Sequence, residues 1–117
     1  ITMHRAGVDV GSIDISPGAT AYNTSSDARL KENVLPADDP GAIIDAVTIV
    51  QYDWKVGGHV RFGIVAQDAV AHIPEAISPG DEGEEILKTW RVDPSKMVFL
   101  MWREIQLLRA RVAALEA

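Results

Sequence analysis

The chain has no cysteine. That excludes disulfides, thiolate metal sites and cysteine nucleophiles together, and it fits a reducing compartment. Aromatic residues are few: three Trp, two Tyr and two Phe among 117 residues. Positive charge is also scarce. The net charge of −6 argues against a nucleic-acid partner or an anionic membrane surface. No apolar run reaches the ~18 residues of a membrane span. The first residues lack a basic region followed by an apolar core, so no signal peptide is read there. The three histidines, His4, His59 and His72, include no pair at ligand spacing, so no metal and no cofactor is expected. The start at Ile1 reads as that of a piece of a longer chain.

What is present supports a small folded domain. The hydrophobic fraction is 47%, enough for a core. A chain of this length is marginal alone, so association would help it. The pattern is α+β: short strands and hairpins, then a long C-terminal helix. Val8, Val10, Ile13 and Ile15 alternate with polar residues, with a phase slip at Gly11-Ser12 that predicts a turn or bulge. Pro17-Gly18 is a further turn signal. Residues 1–25 read as short strands, too few to fold alone. Asn33 to Asp39 is loop-like. Asp39-Pro40 predicts a cap and a short helix to Ala46. Thr48 to Trp54 alternates as a strand, Gly57-Gly58 turns it, and His59 to Val65 returns. Ala66 to Ile73 predicts a short helix stopped by Pro74, with His72 at its end. Ser78 to Glu85 is an exposed acidic loop, and Ile86 to Val92 reads as another strand.

From Asp93-Pro94 a helix of about residues 94–116 is expected. Val98, Met101, Ile105, Leu108, Val112 and Leu115 are spaced 3, 4, 3, 4, 3 along it. That is a heptad seam with 98, 105 and 112 at a and 101, 108 and 115 at d. Glu104 at g would meet Arg109 at the next e of a partner, and Arg111 would meet Glu116. The other reading is one amphipathic helix packing its stripe on its own domain. Leu100, Trp102 and Leu107 lie off the seam and leave room for both. β-Branched a positions with Leu at d favour two strands in simple parallel coils.

The chemistry-bearing stretch is Ser25-Ser26-Asp27-Ala28-Arg29-Leu30-Lys31-Glu32-Asn33. A Ser hydroxyl and a Lys amine five positions apart can act as nucleophile and base, provided the Lys loses its proton. An ordinary Lys has a pKa of about 10.4, so desolvation or a neighbouring cation such as Arg29 is needed. Taken as spacing alone, the commoner reading prevails: Ser26 and Asp27 cap a turn, with Arg29, Lys31 and Glu32 on its solvated side.

The whole string resembles the opening of the C-terminal intramolecular chaperone domain of phage tailspikes and tail fibres, the endosialidase-type self-cleaving domain. Its Ser-Asp-x-Arg-x-Lys motif is matched by Ser26, Asp27, Arg29 and Lys31. Phe62-Gly63-Ile64-Val65-Ala66-Gln67-Asp68, Ile73-Pro74-Glu75-Ala76 and the terminal helix follow in the same order. The resemblance implies residues 1–25 as the distal β-rich end of a fibre and residues 26–117 as the chaperone. It implies cleavage between Ser25 and Ser26, with Ser26 as nucleophile and Lys31 as general base. Asp27 and Arg29 would shape the turn, and His59 is a further supporting candidate. It also implies a homotrimer, taken here over the two-stranded preference, with the coiled-coil helix as trimeriser. The partners are the chain's own copies and its upstream fibre region. The setting implied is the host cytoplasm during virion assembly, with the fibre on the virion tail and the chaperone released after the cut.

Three alternatives stand beside this. One is a permanent trimeric fibre tip or adaptor without proteolysis, in which Ser26 only caps a turn. Another is a trimerising folding domain whose cleavage is slow or lost. The third is a membrane-anchored transcription factor using this domain, for which the sequence offers neither a DNA-binding region nor a span. Asp81, Glu82, Glu84 and Glu85 lack the alternating ligands of a calcium loop and read as a solvated tip. Gln67 and Asp68 are expected near the core. Trp54, Trp90 and Trp102 read as core or interface anchors. An uncut chain is expected to allow Ser26 and Lys31 to stand apart.

Overall fold

A computed structural model describes residues 1–117 as two compact units, Ile1–Pro36 and Ala37–Ala117. The first unit is an antiparallel sheet in the order β1 (Thr2–Arg5), β2 (Val8–Ser16), β3 (Ala19–Thr24). Its two turns follow from backbone preferences. Ala6 and Gly7 both take positive φ, 51° and 78°, which is the primed geometry that suits a two-residue hairpin. Pro17-Gly18 closes the second hairpin, with Gly18 at φ 86°. The phase slip in β2 is a bulge: Met3 pairs with Gly11 but His4 with Asp9, which leaves Val10 as the extra residue. Gly11 is the only buried residue of this unit. Ladder hydrogen bonds hold it, including reciprocal bonds of 2.8 Å between Ile1 and Ile13.

The second unit builds a small core of Ala69, Ile73, Ala76 and Ile77. The helix α1 (Gly41–Ala46) brings Ile43 against that core, and the following Val47 packs there too. Asp39 stands at the start of α1, its Oδ1 accepting the Gly41 N–H at 2.8 Å. β4 (Val50–Asp53) and β5 (His59–Gly63) form a hairpin whose turn places Gly57 and Gly58 at φ 106° and 109°. The helix α2 (Ala66–Ala69) and a 3-10 turn at Pro74–Ala76 supply most of the core. β6 (Ile77–Ser78) pairs with β7 (Arg91–Val92), and α3 (Ser95–Glu116) ends the chain. Asp93 starts α3 by accepting from Ser95 N at 3.0 Å and Ser95 Oγ at 2.6 Å. No helix is long and apolar enough to cross a membrane.

Several expectations change. The strand read at Ile86 to Val92 is only Arg91–Val92. The preceding loop is shaped instead by Asp81, whose Oδ2 accepts from Leu87 N at 2.8 Å and Lys88 N at 2.7 Å. Those two N–H bonds from Lys88 and Leu87 hold the Asp81 carboxyl below its ordinary value. The helix read to Ile73 ends at Ala69, so His72 lies in the turn after it. Gln67 and Asp68 are exposed, because Ala66, Ala69 and Val70 occupy the inward face of that short helix. Trp90 packs on the core and donates from Nε1 to Asp81 O at 3.0 Å, whereas Trp54 and Trp102 are exposed.

The helix α3 has two apolar faces. Met97 and Leu100 pack on the core, with Arg103, Glu104 and Leu107 half-buried on the same side. Val98, Met101, Ile105, Leu108, Val112 and Leu115, roughly a quarter turn away at 100° per residue, are exposed. The charges on α3 are engaged differently from the g-to-e pattern read above. Arg111 Nη2 donates to Asp39 Oδ2 of its own chain at 3.1 Å. Glu104 lies half-buried, within 3.9 Å of where a Gly41 side chain would start.

Candidate functional site

Ser26 and Lys31 flank one 3-10 turn, Ala28–Leu30. The sequence dictates that turn locally. Asp27 is its N-cap in an extended backbone conformation, and its Oδ1 accepts the Arg29 N–H at 2.9 Å. The Leu30 N–H donates to Asp27 O and the Lys31 N–H to Ala28 O, each at 3.1 Å. Arg29 folds back on the cap: its Nε donates to Asp27 Oδ1 at 3.1 Å and its Nη2 to Oδ2 at 2.7 Å. This two-pronged pair adds directional order, although surface exposure limits its worth. The Arg29 side chain and backbone N–H hold the Asp27 carboxyl below its ordinary value, and Asp27 in turn raises the Arg29 guanidinium.

The tight rise of a 3-10 turn carries the chain only a short way between its ends. The side chains of Ser26 and Lys31 therefore meet: Lys31 Nζ donates to Ser26 Oγ at 2.5 Å. The two stand within hydrogen-bond reach, where the sequence reading allowed an uncut chain to hold them apart. Arg29 lies in the same turn, but its charge is matched by Asp27 rather than free to act on Lys31. Ser25, Ser26 and Lys31 are all exposed. A cleft of about 610 Å³ opens beside Ser25, lined by Asp9, Gly11, Asn23, Ser25, Asp27 and Arg29 among others.

His59 belongs to the second unit. Its Nδ1 lies 2.7 Å from Asp53 Oδ1 and its Nε2 3.2 Å from Gln51 Oε1, so both ring nitrogens are engaged across the β4–β5 hairpin. Gln51 and Asp53 are partners that sequence reasoning missed. The strand alternation that puts Gln51, Asp53 and His59 on one face was the available signal.

These features define a small α+β domain whose first turn couples a serine hydroxyl to a lysine amine. Residues 26–78 match the family described as the chaperone of endosialidase, whose designation is that of a peptidase. The match begins at Ser26 and supports, for this stretch, the C-terminal intramolecular chaperone domain family. No curated protein and no solved structure matches the chain.

Proposed function

We propose that residues 26–117 trimerise and register the chains of a phage tail fibre or tailspike for folding, then release themselves by cutting between Ser25 and Ser26. The observation that carries this is the 2.5 Å approach of Lys31 Nζ to Ser26 Oγ at the first residues of the family match. The permanent fibre tip is less favoured, because the family is described as a chaperone.

In this reading Lys31, as the free amine, takes the Ser26 hydroxyl proton. Ser26 Oγ attacks the Ser25 carbonyl carbon. The carbon–nitrogen bond breaks as the proton passes to the Ser26 nitrogen, which leaves Ser25 esterified to Ser26 Oγ. Water from the cleft then hydrolyses the ester to a Ser25 carboxylate and restores the Ser26 hydroxyl. A covalently held substrate needs no binding pocket, and such proximity contributes ~7–11 kcal/mol. A lysine gives up its proton more readily where water is excluded. Both side chains are exposed in the single chain, so the cut follows assembly, when neighbouring copies cover the turn.

Assembly rests on the α3 seam. The chain exposes 10045 Å², whereas the scaling for folded monomers gives about 6,200 Å² at its mass. Val98, Phe99, Met101, Trp102, Ile105 and Leu108 contribute to that excess. Trimerisation brings fibre chains together and lowers the loop-closure cost of non-local β pairing. Release afterwards removes a route back to unfolding. The test is intact mass of wild type beside Ser26→Ala and Lys31→Ala. The expected result is a wild-type fragment beginning at Ser26 and two whole mutants, a loss of about a thousandfold or more in rate. Three whole chains would overturn the self-cleavage reading.

A further inference from the structure

The dyad supplies a nucleophile and a base, but nothing within the turn holds the carbonyl to be attacked. That carbonyl belongs to Ser25, one residue past the end of β3. The Ser25 N–H donates to Val10 O at 3.1 Å, so the β2–β3 ladder runs one rung further, up to the bond itself. Val10 is the extra residue of the β2 bulge. The bulge is fixed from two sides. Asp9 Oδ1 accepts the Gly11 N–H at 3.0 Å, and Gly11 lies so close to β3 that a Cβ there would collide with the Asn23 carbonyl oxygen.

Resting on the self-cleavage reading, we propose that the Asp9–Val10–Gly11 bulge is the positioning device for the scissile bond, with Asp9 and Gly11 as positioning residues. Bulges redirect backbone groups beside active sites. Here the bulge of the β1–β2 pairing falls on the residue whose carbonyl accepts the Ser25 amide as the next rung of the β2–β3 ladder. On the other side of the bond, Lys31 Nζ donates to Ser26 Oγ, and the Asp27-capped 3-10 turn follows. In this proposal the grips on either side of the Ser25–Ser26 peptide limit how far the Ser25 carbonyl swings from Ser26 Oγ. Misplacement by about 1 Å can cost a hundredfold in rate, so a loose Ser25 would waste a well-formed dyad.

The experiment times self-cleavage of the full chain by intact mass for wild type, Asp9→Ala, Asp9→Asn and Gly11→Ala. It also measures hydrogen exchange of the Ser25 amide for the Asp9 variants in a Ser26→Ala background. Asp9→Ala and Gly11→Ala are expected to slow cleavage roughly ten- to a hundredfold. Asp9→Asn keeps the Oδ1 acceptor and is expected to cleave near the wild-type rate. Protection of the Ser25 amide should fall in Asp9→Ala and return in Asp9→Asn. Wild type that cleaves, together with Asp9→Ala that cleaves as fast, overturns the positioning role and leaves self-cleavage intact. Equal slowing by Asp9→Ala and Asp9→Asn overturns it too, since a lost charge and not a lost acceptor would then be the cause. Wild type that never cleaves overturns the underlying reading, and this proposal with it.

Discussion

Residues 1–36 bury one glycine and are held by backbone hydrogen bonds, whereas residues 37–117 bury Ala69, Ile73, Ala76 and Ile77 and gather partly covered side chains around them. The first unit carries the Ser26–Lys31 pair, and the second carries the long helix with its exposed seam. Under the proposed function, the contrast separates two tasks. A bond to be cut needs access and local geometry, which a turn and a ladder supply. An assembly element needs a rigid surface, which a helix anchored on a core supplies. Neither unit has the burial of an independent globular domain, and the apolar surface left over belongs to both.

The sharpest way to break this comparison is Ile73→Ala. Ile73 is 2% exposed, and its truncation should cost about 2–5 kcal/mol. Denaturant melting followed by Trp90 fluorescence should show that loss. Hydrogen exchange of the β2–β3 ladder should stay unchanged if the first unit stands on its own hydrogen bonds. Loss of protection in both would show that the two are one cooperative body.

A smaller effect tests the helix. Ile105→Asn and Leu108→Asn alter the seam without touching Met97 or Leu100, the side chains that pack α3 on the core. Each should weaken self-association on the order of tenfold, read by sedimentation equilibrium, with little change in the melting of the second unit. Unchanged association would mean that the seam is not the interface.

The smallest effect is expected on acidification, and it falls on both units. Folding lowers the Asp27 carboxyl from its ordinary 3.8, through Arg29, and the Asp93 carboxyl from 3.8, through Ser95. The folded chain therefore binds these protons less readily than the unfolded chain. Their stabilisation is complete above the unfolded values and is lost as pH falls through the lowered ones. NMR titration should show both carboxyls protonating below pH 3.8, with α3 fraying at its start and the 3-10 turn loosening. Ordinary titration of Asp27 would mean that the Arg29 pair does not persist in solution.

How much of this the sequence displayed depended on how local the cause was. Pro17-Gly18, Gly57-Gly58, Asp39-Pro40 and Asp93-Pro94 act within a few residues, and each marks a turn or helix start in the structure. The bulge showed as a break in alternation and lies at Val10, beside the slip at Gly11-Ser12. β1 was illegible, because Thr2–Arg5 has no alternation of its own and pairs through the turn at Ala6-Gly7. The stretch from Ile86 looked like a strand by residue type. Asp81 claims the Leu87 and Lys88 N–H groups instead, a choice made by a side chain six and seven positions away. At the site, one turn contains Ser26 and Lys31, so the motif named both residues, although their approach in an uncut chain was not expected. The grip of Val10 on Ser25 was not readable, because it joins residues on different strands.

The containment of that turn has an evolutionary consequence. Every hydrogen bond that shapes residues 26–31 is made among residues 26–31. The segment is therefore a portable cassette: it requires of whatever precedes it only a strand that ends beside a carbonyl able to grip the last residue. Under the proposed function, chains with unrelated upstream strands can exchange such an ending by recombination, because selection on those strands leaves the cassette's own geometry untouched.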